Sequence, residues 1–185
     1  MLDLGCAAGL LGEELRRRGV ATVVHGVELD PLAAAEAETR LDRVWTANLE
    51  ASPVTFVEPP YDVIVAADVL EHMRDPWEMA RQIRGLLAPN GQLVASLPNI
   101  RFVRVVLPLV IRGRFDYADS GVLDRTHLRF FTRSSMMEFF DQAGFSVELI
   151  TRAPMIWRRG WKAAIARVLG DFATEQLLIR ARVTP

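Results

Sequence analysis

The stretch Met1-Leu2-Asp3-Leu4-Gly5-Cys6-Ala7-Ala8-Gly9-Leu10-Leu11-Gly12 decides how the chain reads. A short apolar run passes into small residues and then into a helical pattern, which predicts a strand, a tight turn and a helix N-terminus. Gly5, Ala7 and Gly9 carry little or no side chain, so the turn's backbone N–H groups are expected to lie open to a ligand. The spacing is G-x-A-x-G. A dinucleotide fingerprint, G-x-G-x-x-G, would place glycine where Ala7 and Leu10 stand. Alone, the turn suits a structural strand–helix connection as well as a nucleotide pocket.

Working outward, Leu10 to Arg18 reads as a helix stopped by Gly19, and Thr22 to Val27 as a buried β-branched strand. Asp30-Pro31 is an N-cap followed by an N1 proline and opens an alanine-rich helix to about Leu41. Strands are expected at Val44–Ala47, Tyr61–Ala67 and Gln92–Leu97. A helix runs from Pro76 to Leu87, closed by a turn at Pro89-Asn90-Gly91. Strands alternating with helices at this spacing predict an α/β fold with a doubly wound parallel sheet. In the last third, helices are expected at 100–112, 134–143 and 155–169, with strands at 145–151 and 175–183. Residues 113–129 form a polar, aromatic loop.

The 185 residues suit one domain over 1–185, with 50% apolar and 24% charged residues. A net charge of −1 gives no global field for nucleic acid or membrane. The longest apolar stretch, Val103 to Ile111, is too short to span a bilayer and contains Arg104 and Pro108. Cys6 is the only cysteine, which rules out an intramolecular disulfide and a cysteine zinc cluster. No basic-then-apolar leader pattern follows Met1, so the expected setting is cytoplasmic. Because the chain starts inside its first strand, N-terminal helices are expected to be missing, with a partner or a second copy supplying the cover.

Two groups of polar residues carry chemistry. Glu28 ends the second strand about 20 residues past the glycine turn, where a carboxylate can accept from both ribose hydroxyls. Asp30 is explained by capping; Glu28 has no such explanation. Asp68, Glu71 and His72 follow a central strand, and their spacing puts all three on one face if the segment turns helical. Two acids and an imidazole there suit a general base or a divalent cation, or else merely open the next helix.

Asp3-Leu4-Gly5-Cys6-Ala7-Ala8-Gly9, Gly26-Val27-Glu28-Leu29-Asp30 and Tyr61-Asp62-Val63-Ile64-Val65 with Asp68-Val69-Leu70-Glu71-His72 together resemble a class I S-adenosylmethionine-dependent methyltransferase. The resemblance covers nearly the whole chain and implies a Rossmann-like sheet of seven strands whose last is antiparallel. It implies S-adenosylmethionine as cofactor, held by Asp3, Gly5, Cys6, Ala7, Gly9, Glu28, Leu29, Asn48 and Asp68. Glu28 would hold the ribose and Asn48 would meet the adenine amino group. Ala7 departs from the family's usual glycine.

Leu97-Pro98-Asn99, Arg112 to Tyr117 and Gly121 to Thr132 are similar to the ubiquinone-methyltransferase-like group associated with bacterial glycan biosynthesis. His127 matches loosely a histidine that joins an acid-acid-His cluster in metal-using relatives. Asp68 stands where those have glutamate, so no metal is assigned. The rival reading is that His127 and Arg129 only brace the loop. The resemblance implies methyl transfer to a hydroxyl of a small molecule or glycan, with His72 and His127 as candidate bases and Asp68 and Glu71 orienting them. The alternatives are a truncated or non-catalytic cofactor-binding domain, or an NAD-dependent oxidoreductase. A basic aromatic run, Trp157 to Lys162, reads as a solvated face or an acidic-sugar contact.

Overall fold

The opening strand β1, Leu2–Leu4, is buried along its whole length. The computed structural model describes residues 1–51, 53–153 and 168–184. The expected helix at 155–169 and the Trp157–Lys162 run lie almost wholly outside them. In chain order follow α1 (Leu10–Arg17), β2 (His25–Glu28), α2 (Pro31–Ala37), β3 (Arg43–Thr46), β4 (Tyr61–Ala67), α3 (Pro76–Leu86), β5 (Leu87–Pro98), α4 (Val103–Arg112), α5 (Arg133–Gln142), β6 (Phe145–Arg152) and β7 (Gln176–Val183).

The seven strands form one sheet in the order β3-β2-β1-β4-β5-β7-β6. β1 to β5 pair in parallel, and β7 runs antiparallel to both β5 and β6. The chain winds outward from β1 to β3, then returns to start again at β4. The β1/β4 boundary is therefore the topological switch point, where open α/β sheets bind their ligands. Gly5 follows β1, Glu28 ends β2, Asn48 lies just past β3 and Asp68 follows β4.

Local sequence explains most boundaries. Asp30 caps α2 by accepting from the Leu32 and Ala33 amides at 2.7 and 3.0 Å, with Pro31 as the first helical residue. Asp75 does the same for α3, accepting from Glu78 at 2.9 Å. One helix is well short of its pattern. α2 stops at Ala37 rather than about Leu41, because Arg40 and Leu41 turn back to bond the Ala37 carbonyl at 2.9 Å. The expected turn at Pro89-Asn90-Gly91 appears as a kink inside β5, with Asn90 at φ 67°, because Leu87 already pairs with Tyr61.

The main core joins Leu2, Leu4, Ile64 and Leu93 from the sheet to Ile83 of α3 and to Met136, Phe139 and Phe140 of α5. Each of those side chains is at most 1% exposed. Truncating such a buried aromatic costs several kcal/mol, so the C-terminal strands and α5 are integral to the fold. Among the described residues no helix is long and apolar enough to cross a membrane.

Candidate functional site

The turn after β1 is held by its own backbone. Gly5 and Cys6 both donate to the Val27 carbonyl, at 2.8 and 3.1 Å, and Gly9 donates to Cys6 at 2.8 Å. Ala7 N–H donates to Glu28 Oε2 at 2.8 Å. The expectation that these amides lie open to a ligand is thus corrected: the turn uses them to fix itself and to seat Glu28. What the small residues provide is shape. Gly5 sits at φ +66°, and a Cβ there would come within 2.8 Å of Val69 Cγ2. Gly5→Ala is expected to cost ~1–3 kcal/mol of stability, read from urea unfolding. Ala7 is left-handed at φ 46°, a conformation costly for a residue with a Cβ.

Beside this turn lies a cavity of about 380 Å³ lined by Gly5, Glu28, Leu29, Asn48, Asp68, Val69 and His72 among others. That size is in the range of small-molecule sites. Glu28 is locked on both oxygens: Oε2 by Ala7, and Oε1 by the Leu29 and Asp30 amides at 2.8 and 2.9 Å. Oε1 thereby uses both its lone pairs, and Oε2 keeps capacity for one further donor. Asn48 Oδ1 accepts from the Glu50 amide at 2.8 Å.

A second cavity of about 250 Å³ is lined by Asp68, Glu71, His72, Val122, Asp124, His127, Glu175 and Gln176 among others. Asp68 and His72 line both cavities. Asp68 is held at φ 56°, where Ser96 Oγ and Gln176 Nε2 donate to its Oδ1. Leu70–His72 forms a single 3-10 turn. The loop after α4 folds back onto it, with Leu128 and Arg129 amides donating to the Glu71 carbonyl at 2.8 and 3.0 Å. That docking stacks His127 edge-on against His72 at 4.7 Å between centroids. His72 Nδ1 faces the Thr126 carbonyl at 3.2 Å and His127 Nδ1 faces the Val122 carbonyl at 3.1 Å. Carbonyls only accept, so each Nδ1 carries a proton, and in the neutral ring each Nε2 keeps its lone pair for a proton or a metal.

Glu71 is fully buried, and neither of its carboxylate oxygens has a hydrogen-bond partner among the described residues. Burial pushes its carboxyl up to about 8; its own backbone amide pulls the other way and the Asp68 charge adds to the rise. Asp3, 2% exposed beneath the turn, is pushed up to about 7 by burial and by Glu28. Both acids hold a proton in the folded chain that they release when unfolded between about pH 4 and the raised values. Stability is therefore greatest below about pH 4.5 as far as these groups decide it, and falls as pH rises toward 8, by a few kcal/mol. The melting temperature is expected to be higher at about pH 5.5 than at about pH 8. Asp3→Asn and Glu71→Gln should each raise it at the higher pH and shrink the difference; unchanged melting curves would contradict the assignment.

The ligand atoms of Glu71, His72 and His127 lie within 4.8 Å of one another, a separation that a divalent cation can bridge.

The structure gathers Glu28, Leu29, Asn48 and Gly5 around one cavity and Glu71 and His127 around the other. Asp3, Cys6, Ala7 and Gly9 lie outside both linings. Gly9 packs on Ala37, and Cys6 turns into the small cluster with Val24 and Leu41, where burial pushes its thiol up to about 12. Glu175 and Gln176 escaped sequence reasoning. They open β7, and only its antiparallel direction brings that end beside Asp68.

The methyltransferase-domain family matches residues 1–150. The ubiquinone biosynthesis O-methyltransferase of Aeromonas salmonicida is 28% identical over 152 residues, covering 80% of this chain and 63% of its own length. That of Aliivibrio fischeri is 27% identical over 161 residues, covering 82% and 65%. The chain thus spans a little under two thirds of these curated relatives. An S-adenosylmethionine-dependent methyltransferase from Mesorhizobium loti superposes with a TM-score of 0.68 at 18% identity, covering 98% of this chain and 89% of that one. Magnesium protoporphyrin IX methyltransferase from Synechocystis with bound S-adenosylhomocysteine gives 0.66 at 17%, covering 100% and 73%. At these identities the structures bear on the fold, which is the seven-stranded α/β arrangement described above. With its family match running from β1 into β6, the chain belongs to the methyltransferase-domain family.

Proposed function

We propose that the chain transfers a methyl group from S-adenosylmethionine to a hydroxyl of a small molecule or glycan. The observation that carries this reading is the pair of cavities meeting at Asp68 and His72. One has the glycine turn, a backbone-locked Glu28 and Asn48, which suit a nucleoside with a free ribose diol. Glu28 Oε2 would accept from a ribose hydroxyl, and Gly5 leaves room for the chain that leaves the ribose. The cofactor supplies a methyl group already activated as a sulfonium. The protein's remaining work is to align an acceptor oxygen and take up its proton. His72 and His127 line the acceptor cavity with Nδ1 committed to a carbonyl, so in the neutral ring either can receive that proton on Nε2. Asp68, fixed by Ser96 and Gln176, orients the acceptor between the cavities. The curated relatives are O-methyltransferases by name, which supports an oxygen acceptor. A cytoplasmic setting is supported by the single, buried cysteine.

Calorimetric titration tests the reading. S-adenosylhomocysteine is expected to bind and NADH not to bind. NADH binding without S-adenosylhomocysteine binding would establish the oxidoreductase alternative. Binding with no labelled-methyl transfer to any of a panel of hydroxylated acceptors would favour a non-catalytic domain.

A second reading, metal-assisted transfer, is favoured by the orphaned Glu71 carboxylate beside two available Nε2 atoms. Glu71, His72 and His127 would hold a divalent cation, which would polarise the acceptor hydroxyl. A rise in melting temperature with Mg²⁺, Mn²⁺ or Zn²⁺ that Glu71→Gln abolishes would select this reading over simple base catalysis.

A further inference from the structure

The acceptor cavity is ringed by acids from three separate elements. Asp68 follows β4, Asp124 sits in the loop after α4, and Glu175 stands at the start of β7. No lysine or arginine occurs among the described residues of that lining. The acids are placed, not merely clustered. Asp124 Oδ1 accepts from the Thr126 amide and hydroxyl at 2.8 and 2.6 Å, which leaves Oδ2 uncommitted. Glu175 is fixed through its backbone. Its carbonyl accepts from the Asn99 amide at 2.8 Å, and the buried Asn99 side chain donates to the preceding Thr174 carbonyl at 2.8 Å. The Glu175 carboxylate reaches the loop at Gly121, where a Cβ would stand 3.2 Å from Oε1; a glycine there leaves the carboxylate its room.

A ligand in this space also has a buried acceptor to meet. Glu71 is fully buried, and its two orphaned carboxylate oxygens face the same cavity, within 4.8 Å of ring nitrogens of His72 and His127. A donor on the ligand would relieve that unmet hydrogen bonding. Aromatic faces adjoin the cavity as well. Phe115 packs on Tyr117 at 5.6 Å and on Phe130 at 5.8 Å, and Phe130 packs on His127 at 6.5 Å between centroids. Carboxylates and aromatic faces have one ligand chemistry in common, since both attract a cation that donates hydrogen bonds.

We propose that the acceptor carries an ammonium group beside its hydroxyl, as an amino sugar or other amino alcohol does, and that Glu175 and Asp124 select it. The proposal rests on the methyl-transfer reading and names its substrate class. A cleft walled by one sign of charge concentrates the opposite charge and repels its own, so acceptors bearing carboxylate or phosphate are turned away. Held among carboxylates, the amine keeps its proton and has no lone pair with which to attack. The hydroxyl is then the nucleophile. Its O–CH₃ bond forms as the S–CH₃ bond breaks, its proton passes to Nε2 of a neutral imidazole, and the cofactor leaves as a thioether.

NMR titration of the intact chain with D-glucosamine, D-glucose and D-glucuronate tests the proposal. The chain is saturated with S-adenosylhomocysteine and kept in EDTA, so that no divalent cation enters the comparison. The three hexoses share a ring and differ in charge. Glucosamine is expected to bind about 10- to 10²-fold tighter than glucose, from one or two charge-assisted hydrogen bonds, and glucuronate more weakly than glucose. Glu175→Gln should lower glucosamine affinity about ten-fold, and adding Asp124→Asn should bring it level with that for glucose. Both replacements keep side-chain size, and Asp124→Asn keeps the oxygen to which Thr126 donates. Glucose affinity, S-adenosylhomocysteine affinity and melting curves should therefore match the parent chain, and a loss confined to the charged sugar reports recognition rather than folding. Bound S-adenosylhomocysteine with the three sugars bound alike, with none bound, or with glucuronate preferred overturns the proposal and leaves the methyl-transfer reading standing. So does glucosamine affinity unchanged in the double variant. A chain that does not bind S-adenosylhomocysteine loses that reading, and the proposal with it.

Discussion

Replacing both His72 and His127 by alanine is expected to lower methyl transfer ~10²- to 10⁴-fold, with S-adenosylhomocysteine affinity little changed. The expectation rests on the orientation of the two rings. Each Nδ1 is committed to a backbone carbonyl, Thr126 for His72 and Val122 for His127. Each Nε2 is thereby left as the acceptor in a cavity otherwise lined by carboxylates and their partners. Asp68 is already engaged by Ser96 and Gln176, and Glu71 is protonated at neutral pH by its burial. The imidazoles join Asp124 and Glu175 as the groups there able to take a proton from a hydroxyl, and imidazole is the side chain whose ordinary range lies nearest neutral pH. Single variants apportion the role. His72 also lines the cofactor cavity, so His72→Ala should raise the cofactor KM as well as lower kcat. His127 lines only the acceptor cavity, so His127→Ala should act on kcat and the acceptor KM. Turnover unchanged in the double variant, measured with an identified acceptor, would remove both histidines from the chemistry. A loss reversed by millimolar divalent cation would instead make them metal ligands.

The loop that brings His127 to this position shows what sequence reading could and could not reach. Gly5, Glu28, Asn48 and Asp68 were legible because each stands at the C-terminal end of its own parallel strand. Strand identity and direction follow from local pattern and short connections. The meeting of His127 with His72 depends on a fold-back across 54 residues, fixed by two amides on the Glu71 carbonyl, which no local pattern encodes. The same holds for Glu175 and Gln176, whose proximity to Asp68 follows from antiparallel insertion of β7 between β5 and β6. The role of the opening turn was misread for a related reason. Small residues announce close approach, but which group approaches is decided by the partner strand. Here it is the Val27 carbonyl and the Glu28 carboxylate that take the turn's amides. The apolar run in α4 was visible as composition, but the exposure of Leu107, Val110 and Ile111 is a tertiary fact. A run of Val, Leu and Ile in an α/β protein is ordinarily core, and only the burial of Val105 alone shows which way this one faces.

Replacing Glu28 is expected to have the largest effect on cofactor binding, with Glu28→Ala weakening S-adenosylhomocysteine affinity ~10- to 10²-fold. A charge-assisted hydrogen bond from a ribose hydroxyl to Oε2 is worth roughly 1.5–3 kcal/mol, which gives this loss. The fold should tolerate the change. The three amides that Glu28 caps belong to Ala7, Leu29 and Asp30, and all three bonds lie at the solvent-exposed rim, where water can replace the carboxylate. Apo melting should therefore move little, while the stabilisation that ligand confers on the parent chain, about 2.7 kcal/mol at a hundred-fold excess over Kd, should fall to about 0.4–1.4 kcal/mol at the same ligand concentration. Glu28→Gln is no gentler. Backbone donors occupy both sides of the side chain, so the amide group of glutamine must turn its own N–H toward Ala7 or toward Leu29 and Asp30. Either orientation sets donor against donor and drives the side chain out of the cavity. Glu28→Asp is one methylene shorter and cannot span from the end of β2 to the Ala7 amide while holding the ribose. All three variants should thus bind more weakly by isothermal titration, in contrast to His127→Ala, which should bind like the parent and turn over slowly. A Glu28→Ala chain that bound the nucleoside as tightly as the parent would place the ribose elsewhere along the sheet edge, and with it the methyl group now assigned to the space between Asp68 and His72.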